Sequence, residues 1–299
     1  IVGILNRPNA LKIAKKSISF ISYRGKDALG YWHEKNNAIF HCLHSVAKEK
    51  IKQPLVGKGI FAADCKIYNW KSLSEKFKLR AKNDAELLFR LLENHPVEKV
   101  LNLLDGVYAF CYLRNNKLIL ARDIIGVKPL WYSHTNGFAF ASEKKALEKC
   151  NYLDINELNP RKILVYDLST QKISFIERKF FSITPALKES EETIAEKLRK
   201  LIKQAIEKRI PERKFGLLFS GGIDSTIIAY ELINLGYDFN CYCAYFKHPH
   251  LKPPEDLVFA KKIAKELNLK LKIVPLNISQ VEKACLLYTS PSPETEADL

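Results

Sequence analysis

The sequence predicts an α+β domain followed by an α/β domain built on a parallel sheet. Residues 1–182 hold many short strand-like stretches with few helices between them, the pattern of α+β layers. Residues 183–284 instead alternate strand and helix, as parallel βαβ units do. Between these helices and strands, the apolar run Phe215-Gly216-Leu217-Leu218-Phe219 passes directly into Ser220-Gly221-Gly222-Ile223-Asp224-Ser225, a glycine turn at a strand-to-helix junction.

At 299 residues the chain has the length of about two domains. Its 47% hydrophobic and 27% charged residues are a globular composition. No apolar run reaches the length of a membrane span and no signal-peptide pattern opens the chain, so a cytoplasmic protein is expected. Seven cysteines without a CxxC pair suit free thiols in a reducing compartment, and no metal-binding cluster is expected. The net charge of +15 would suit an anionic partner. The lysines are spread over helix faces, however, as in Lys197, Lys200, Lys203 and Lys208, or Lys261, Lys262, Lys265 and Lys270. That favours a solvated basic surface over a nucleic-acid or membrane partner.

Taken in order, Ile1-Val2-Gly3-Ile4-Leu5 is an apolar, β-branched run that predicts a buried strand with no preceding turn. With no methionine anywhere, the chain is expected to start inside an element of a longer protein. Leu11, Ile18 and Ile21 among lysines predict a helix to about Ser22. Strands are expected over 38–46, 59–68, 107–113, 117–122, 130–134 and 138–141, with turns at Asn115-Asn116 and Asn136-Gly137. Helices are expected over 72–78, 84–94 and 142–150, with Asp84 and Ser142 as candidate N-caps.

Pro185 and the acidic run Glu189-Ser190-Glu191-Glu192 read as a linker entering a helix whose positive end suits the glutamates. Ile194, Leu198, Leu201, Ile202 and Ala205 recur at helical spacing, so that helix is expected to bury one face in the core. After the glycine turn come a helix to 235, a strand over 240–246 that contains Cys241 and Cys243, a helix over 255–267 and a strand over 270–274. This order implies a doubly wound parallel sheet with its ligand at the carboxyl ends of the strands. Residues 285–299 change to turn-rich, poorly patterned sequence that resembles translated adapter read-through, and a tail without stable packing is expected there.

The glycine turn carries the clearest chemistry. Without Cβ atoms, Gly221 and Gly222 let the backbone take positive φ and bring N–H groups close to an anion. Ser220 and Ser225 add hydroxyls, and the following helix aims its positive end at the same place. The lysine that grips β- and γ-phosphates in a Walker loop is missing, which favours reactions that release pyrophosphate. The plain alternative is a turn with Asp224 as an N-cap.

Ser220 to Ser225 resembles the SGGxDS signature of the PP-loop ATP pyrophosphatases. Upstream, six ordered phrases resemble the glutaminase domain of the glutamine-hydrolysing asparagine synthetases. They are Tyr23-Arg24-Gly25-Lys26-Asp27, Ile67-Tyr68-Asn69, Asp105-Gly106-Val107-Tyr108-Ala109-Phe110, Ala121-Arg122-Asp123, Gly126-Val127-Lys128-Pro129-Leu130 and Phe140-Ala141-Ser142-Glu143. The resemblance extends to about Ile278, and the family's later Gly-Ser-Asp region does not follow. It implies an N-terminal-nucleophile (class II glutamine amidotransferase) domain ahead of a PP-loop ATP pyrophosphatase domain. Leu218, Ser220, Gly221, Gly222, Asp224, Ser225 and Ala244 would then bind ATP, with Leu218 and Ala244 equally readable as core. Pro254-Glu255-Asp256-Leu257 is similar to the family's acidic segment before its next helix.

The family's nucleophile is an N-terminal cysteine, so Cys-Gly is expected ahead of Ile1, and none of the seven cysteines present takes that position. In the glutamine site the resemblance aligns Leu43 of His41-Cys42-Leu43-His44 with an arginine for the substrate carboxylate. It aligns Asp64-Cys65-Lys66 with Asn-Gly-Glu, and Asp84 with the acidic residue that meets the glutamine amine. Asp64 cannot donate to an oxyanion, and losing one such donor costs about 10²- to 10³-fold. Lys66 would repel an ammonium group, and two residues apart on a strand it shares a face with Asp64, where the two could pair. A divergent branch with weak or altered glutaminase is therefore expected.

The resemblance implies that ammonia from glutamine passes to a site where ATP and Mg²⁺ activate the β-carboxylate of aspartate as β-aspartyl-AMP, and ammonia displaces AMP to give asparagine. Its partners would be aspartate, glutamine or ammonia and ATP, with a homodimer open as the assembly. The alternatives are a PP-loop amidotransferase or tRNA-modifying enzyme with another acceptor, and a non-catalytic scaffold that kept the fold.

Overall fold

The computed structural model describes residues 1–45, 50–180, 189–211, 213–247 and 252–287. The expected linker at Pro185 and most of the expected tail, 288–299, lie outside them, as does residue 46 of the strand expected over 38–46. The chain divides into two compact units, Ile1–Thr184 and Pro185–Leu299.

The first unit opens with β1 (Val2–Leu5), α1 (Ala10–Ser19) and a 3₁₀ turn at Ser22–Arg24. It continues through β2 (Ala28–Glu34), β3 (Asn37–Leu43), β4 (Leu55–Val56) and β5 (Ile60–Ile67) to α2 (Trp70–Lys76), α3 (Asp84–Asn94) and α4 (Val97–Leu101). Next come β6 (Gly106–Arg114), β7 (Lys117–Arg122), β8 (Trp131–Ser133), β9 (Phe138–Ala141) and α5 (Lys144–Glu148). The last strands are β10 (Asn156–Glu157), β11 (Lys162–Asp167) and β12 (Lys172–Glu177).

These strands make two six-stranded sheets, ordered β10-β8-β9-β1-β3-β2 and β12-β11-β7-β6-β5-β4. Strand alternation sends residues of both sheets into three cores. Leu5, Ile39, Phe138 and Phe140 meet Ala62, Leu120, Leu164 and Tyr166 between the sheets. Val2, Ile4, Phe40 and Ala141 pack outward on α1 and α5. Phe61, Ala63, Phe110 and Tyr112 pack outward on α2, α3 and α4. The result is a four-layer helix–sheet–sheet–helix sandwich. Both expected turns form: Asn115 and Asn116 at φ 51° and 58°, and Asn136 and Gly137 at 55° and 85°, take the left-handed conformation that tight hairpins need.

The second unit runs α6 (Glu191–Glu207), β13 (Gly216–Leu218), α7 (Ile223–Asn234), β14 (Asn240–Phe246), α8 (Glu255–Glu266), β15 (Leu271–Leu276) and α9 (Ile278–Leu287). Its three strands are parallel, in the order β13-β14-β15. Cys241 and Cys243 are buried, with Phe219, Ala229, Leu232, Leu257 and Ala260 around them, so α7 and α8 cover one sheet face.

Several expectations need correction. Among the described residues the other sheet face carries no helical layer, where a doubly wound sheet would have one. No residue of α6 is buried: Leu198 and Leu201 are 55% and 62% exposed, Ile194 and Ile202 are half-buried, and the helix meets the core of its unit only near its end, through Ile206. Asn83, not Asp84, caps α3, its side chain accepting the Glu86 N–H. Ser142 does not cap α5, which begins after Glu143. Finally, α9 continues through Leu287, beyond the expected break at 285.

Candidate functional site

In the first unit four of the five residues expected at the glutamine site meet at β5: Asp64, Cys65 and Lys66 lie on it and Asp84 bonds to it. Even positions on this strand face the inter-sheet side and odd positions face the helices. Cys65 therefore turns its side chain away, toward the helix-side core, where burial pushes its thiol well above the ordinary range. What it offers the edge is backbone. β4 pairs only with Ile60 and Phe61, and beyond them side chains finish the edge. Buried Gln53 accepts from the Ala63 N–H at 2.8 Å and donates to the Ala63 carbonyl at 3.3 Å. Asp84 accepts from the Ile67 N–H at 2.9 Å, and burial raises its carboxyl pKa. Main-chain groups of alternate residues point the same way. The Cys65 N–H thus lies on this edge between two satisfied neighbours.

Over this edge stands a charge network that sequence reasoning missed. Asp64 contacts Lys128 Nζ at 2.8 Å and Arg24 Nη2 at 3.1 Å. Burial alone would raise the Asp64 carboxyl, but Lys128 and Arg24 hold it down at about 2. Arg24 Nη1 also donates to Glu143 at 2.9 Å, and Glu143, 1% exposed, accepts further from Tyr23 and from Lys145 at 3.1 Å. The expected Asp64–Lys66 pair does not form. The two share a face as expected, but Lys66 is exposed and makes no ion pair among the described residues, while Lys128 and Arg24 reach Asp64 from loops.

Lys128 is aimed by its neighbours. Asp123 accepts the N–H groups of Gly126, Val127 and Lys128 at 2.8–3.0 Å, and Arg122 donates to the carbonyls of Gly126 and Lys128. Leu43 ends β3 half-buried; its carbonyl accepts the Asp27 N–H at 2.9 Å and its side chain offers no charge.

His41 links the two sheets beside this edge. It is 5% exposed, its Nε2 lies 3.0 Å from the Ala63 carbonyl, and its Nδ1 has no partner. A carbonyl only accepts, so Nε2 carries a proton. Burial depresses the pKa from 6.5 to about 4. The sign follows: between these values the unfolded chain binds a proton that the folded chain refuses. His41 should therefore cost the first unit up to about 3 kcal/mol as pH falls from 6.5 to 4. Urea unfolding of wild type and His41→Gln across that range checks this; the pH slope should flatten in the variant.

In the second unit Gly221 has φ +75°, and a Cβ there would sit 2.5 Å from the Ala260 nitrogen of α8. Only glycine fits. Gly222, expected to share positive φ, is instead extended (φ −71°, ψ 168°) and stands as the N-cap of α7 without any capping side chain. The first helical bond is Thr226 N–H to the Gly222 carbonyl at 3.0 Å, which leaves the N–H groups of Ile223, Asp224 and Ser225 without intrahelical acceptors. Ser220 Oγ takes the Gly222 N–H at 3.3 Å and lies 3.3 Å from Ser225 Oγ. The Thr226 hydroxyl is buried without a partner; its one signal in the sequence is its place directly after Ser225. Asp224 is exposed. Leu218, 80% exposed, and exposed Ala244 lie on the uncovered sheet face rather than in the core. An uncapped helix start behind a glycine turn leaves these N–H donors open to solvent at the positive end of α7, the geometry that suits an anion. Among the described residues no group of three His, Cys, Asp or Glu could hold a metal ion.

Comparison with known proteins fits both units. Residues 1–199 match the glutamine amidotransferase domain model and residues 197–287 match the asparagine synthase model. A candidate glutamine-hydrolysing asparagine synthetase of Methanocaldococcus jannaschii is 35% identical over 230 residues, covering 69% of this chain and 40% of that protein. The asparagine synthetases of Rattus norvegicus and Homo sapiens are 30% and 29% identical, each covering 77% of this chain and 47% of the relative. The chain thus spans less than half the length of these relatives. Among solved structures, a glutamine phosphoribosylpyrophosphate amidotransferase from B. subtilis in complex with ADP and GMP superposes with TM-score 0.55 at 13% identity, covering 98% of this chain and 93% of its own. That likeness speaks to fold alone.

Proposed function

The chain belongs to the glutamine-hydrolysing asparagine synthetase family, and from that membership we propose that the full-length protein is a carbon–nitrogen ligase converting aspartate to asparagine at the expense of ATP. The observation that carries this reading is the uncapped start of α7 behind Gly221 and Gly222, in a loop with no lysine. Such a cradle suits a departing pyrophosphate.

The free N–H groups of Ile223, Asp224 and Ser225 and the hydroxyls of Ser220 and Ser225 would hold the β- and γ-phosphates. Leu218 and Ala244 would flank the nucleoside. Mg²⁺, which takes few protein ligands and several phosphate oxygens, would need no more than the exposed Asp224 from this chain. A carboxylate is a poor electrophile until one oxygen leaves easily. In the proposed reaction the aspartate β-carboxylate oxygen attacks the α-phosphorus, pyrophosphate leaves, and β-aspartyl-AMP forms. Ammonia then attacks the acyl carbon, AMP leaves with the oxygen, and a proton is lost to give the amide. The first unit would supply the ammonia by hydrolysing glutamine. Among the described residues no helix is long and apolar enough to cross a membrane.

The test is ATP–pyrophosphate exchange by the full-length protein. Exchange should need both aspartate and Mg²⁺ and stop on chelation. Exchange driven by another carboxylate or by tRNA, or release of ADP, would replace this reading.

A further inference from the structure

We propose that a groove in the first unit, between α3 and residues 51–57, binds a free α-amino acid with an apolar side chain, at a place separate from both sites described above. The inference does not rest on the ligase reading. The groove has a volume of about 370 Å³, toward the lower end of what ligand sites occupy and enough for a molecule of amino-acid size. Helix periodicity builds one wall. Glu86, Arg90 and Glu93 fall at i, i+4 and i+7, one stripe of α3. Phe89 adds the floor; its ring, 6% exposed, is fixed by stacking on Phe61 at 5.6 Å and by Tyr112 standing edge-on at 6.2 Å. Ile51, Leu55 and Val56 line the facing wall, so the body of an occupant meets apolar surface.

Two open charges of opposite sign sit on this wall. Arg90 commits Nε and Nη2 to Glu86, at 3.2 and 2.5 Å, which leaves its Nη1 without a partner among the described residues. Glu86 also takes the Lys82 N–H at 2.8 Å, so the guanidinium is held by a group that is itself anchored. Glu93 accepts the Lys58 N–H on Oε1 at 2.6 Å, and its second oxygen has no partner among the described residues. Gly57 stands at that end, where a Cβ would run into the Glu93 carboxylate and the Phe89 ring; its bare backbone keeps the carboxylate reachable. Arg90 and Glu93, three residues apart, are neighbours on the helix surface. A fixed cation beside a fixed anion suits the α-carboxylate and α-ammonium of one amino acid, whose side chain then lies on Phe89. A peptide carries those two charges only at its opposite ends. The place is distinct because α3 runs from Asp84, bonded to Ile67, to Asn94, bonded to Lys58, so Glu93 is about 14 Å along the axis from Asp84. Residues 51–57 also carry Gln53, which finishes the β5 edge at Ala63, so an occupant would brace that segment.

Calorimetric titration of the full-length protein with L-leucine, L-methionine and L-phenylalanine in turn, with glutamine and aspartate in large excess, reads this directly. The excess fills any site built for those two amino acids. At least one of the three probes should bind, one molecule per chain. The amide of the tightest probe lacks the carboxylate, and its deaminated acid lacks the ammonium. Each should bind about 10- to 100-fold more weakly, the loss of one charged hydrogen-bonded contact. Arg90→Gln should weaken the amino acid by a similar factor while its urea midpoint stays near that of wild type, since the side chain is 41% exposed. Glu93→Gln, which still accepts from Lys58, serves if the first variant does not fold. Absence of binding by the folded protein up to the solubility of all three probes overturns the proposal. So does binding that is seen only without glutamine and aspartate, or binding that a folded Arg90→Gln or Glu93→Gln protein leaves unchanged.

Discussion

Gly221→Ala should destabilise the second unit by about 2–5 kcal/mol and abolish nucleotide binding. Its φ of +75° costs an alanine about 1–2 kcal/mol. The added methyl also meets backbone, with the Ala260 nitrogen and the Phe259 carbonyl carbon both at 2.5 Å, and overpacking of that kind costs about 1–3 kcal/mol. Neither neighbour is a side chain that can turn aside, so either α8 shifts or the loop does. Gly222→Ala is the control. Its φ of −71° is ordinary, and a Cβ there approaches only Ser220 Oγ, at 3.3 Å. That variant should fold with little loss while still crowding the cradle. Urea unfolding followed by a probe in the second unit separates the two, and nucleotide titration of the folded Gly222→Ala protein shows whether the loop is the binding surface.

Glu143→Ala should cost the first unit about 3–5 kcal/mol, the range for breaking a buried charge cluster by removing one partner. Glu143 is 1% exposed and receives Arg24, Lys145 and Tyr23. Without it, Arg24 keeps Asp64 but loses the group that fixes its second nitrogen. Glu143→Gln should cost less, because the amide still accepts hydrogen bonds although it no longer balances the two cations. Urea midpoints at pH 7 rank the variants; equal midpoints for wild type and Glu143→Ala would mean that the cluster adds nothing to stability.

Much of the fold was legible because local chemistry and tertiary structure agree. Asn115-Asn116 and Asn136-Gly137 announce their hairpins, and the apolar strand before Ser220 announces the loop. The missed β11 and β12 meet at a turn that lacks such residues, whereas the missed β2 enters a turn that holds Asn36. The turn between β2 and β3 places Lys35 at φ 51°, and that between β11 and β12 places Gln171 at φ 56°, left-handed positions that carry no glycine or asparagine signal. The exposed face of α6 shows a different limit: periodicity reveals an apolar stripe and says nothing of what covers it.

The two sites were legible to different degrees for the same reason. Ser220 to Ser225 is contiguous, so its geometry is written in one stretch. The Asp64 network draws Arg24, Lys128 and Glu143 from three separate loops. Strand parity correctly placed Asp64 and Lys66 on one face, but only tertiary structure shows that Lys128 reaches the carboxylate instead.

The most direct test of acyl-adenylate chemistry at the α7 cradle is to follow oxygen. The full-length protein is supplied with ATP, Mg²⁺, ammonia and aspartate carrying ¹⁸O in its β-carboxylate, and the AMP is analysed by mass. The expected result is one ¹⁸O atom in each AMP formed, left behind when ammonia takes the acyl group. Label appearing in inorganic phosphate with ADP as coproduct, or AMP free of label, would contradict attack of the carboxylate on the α-phosphorus.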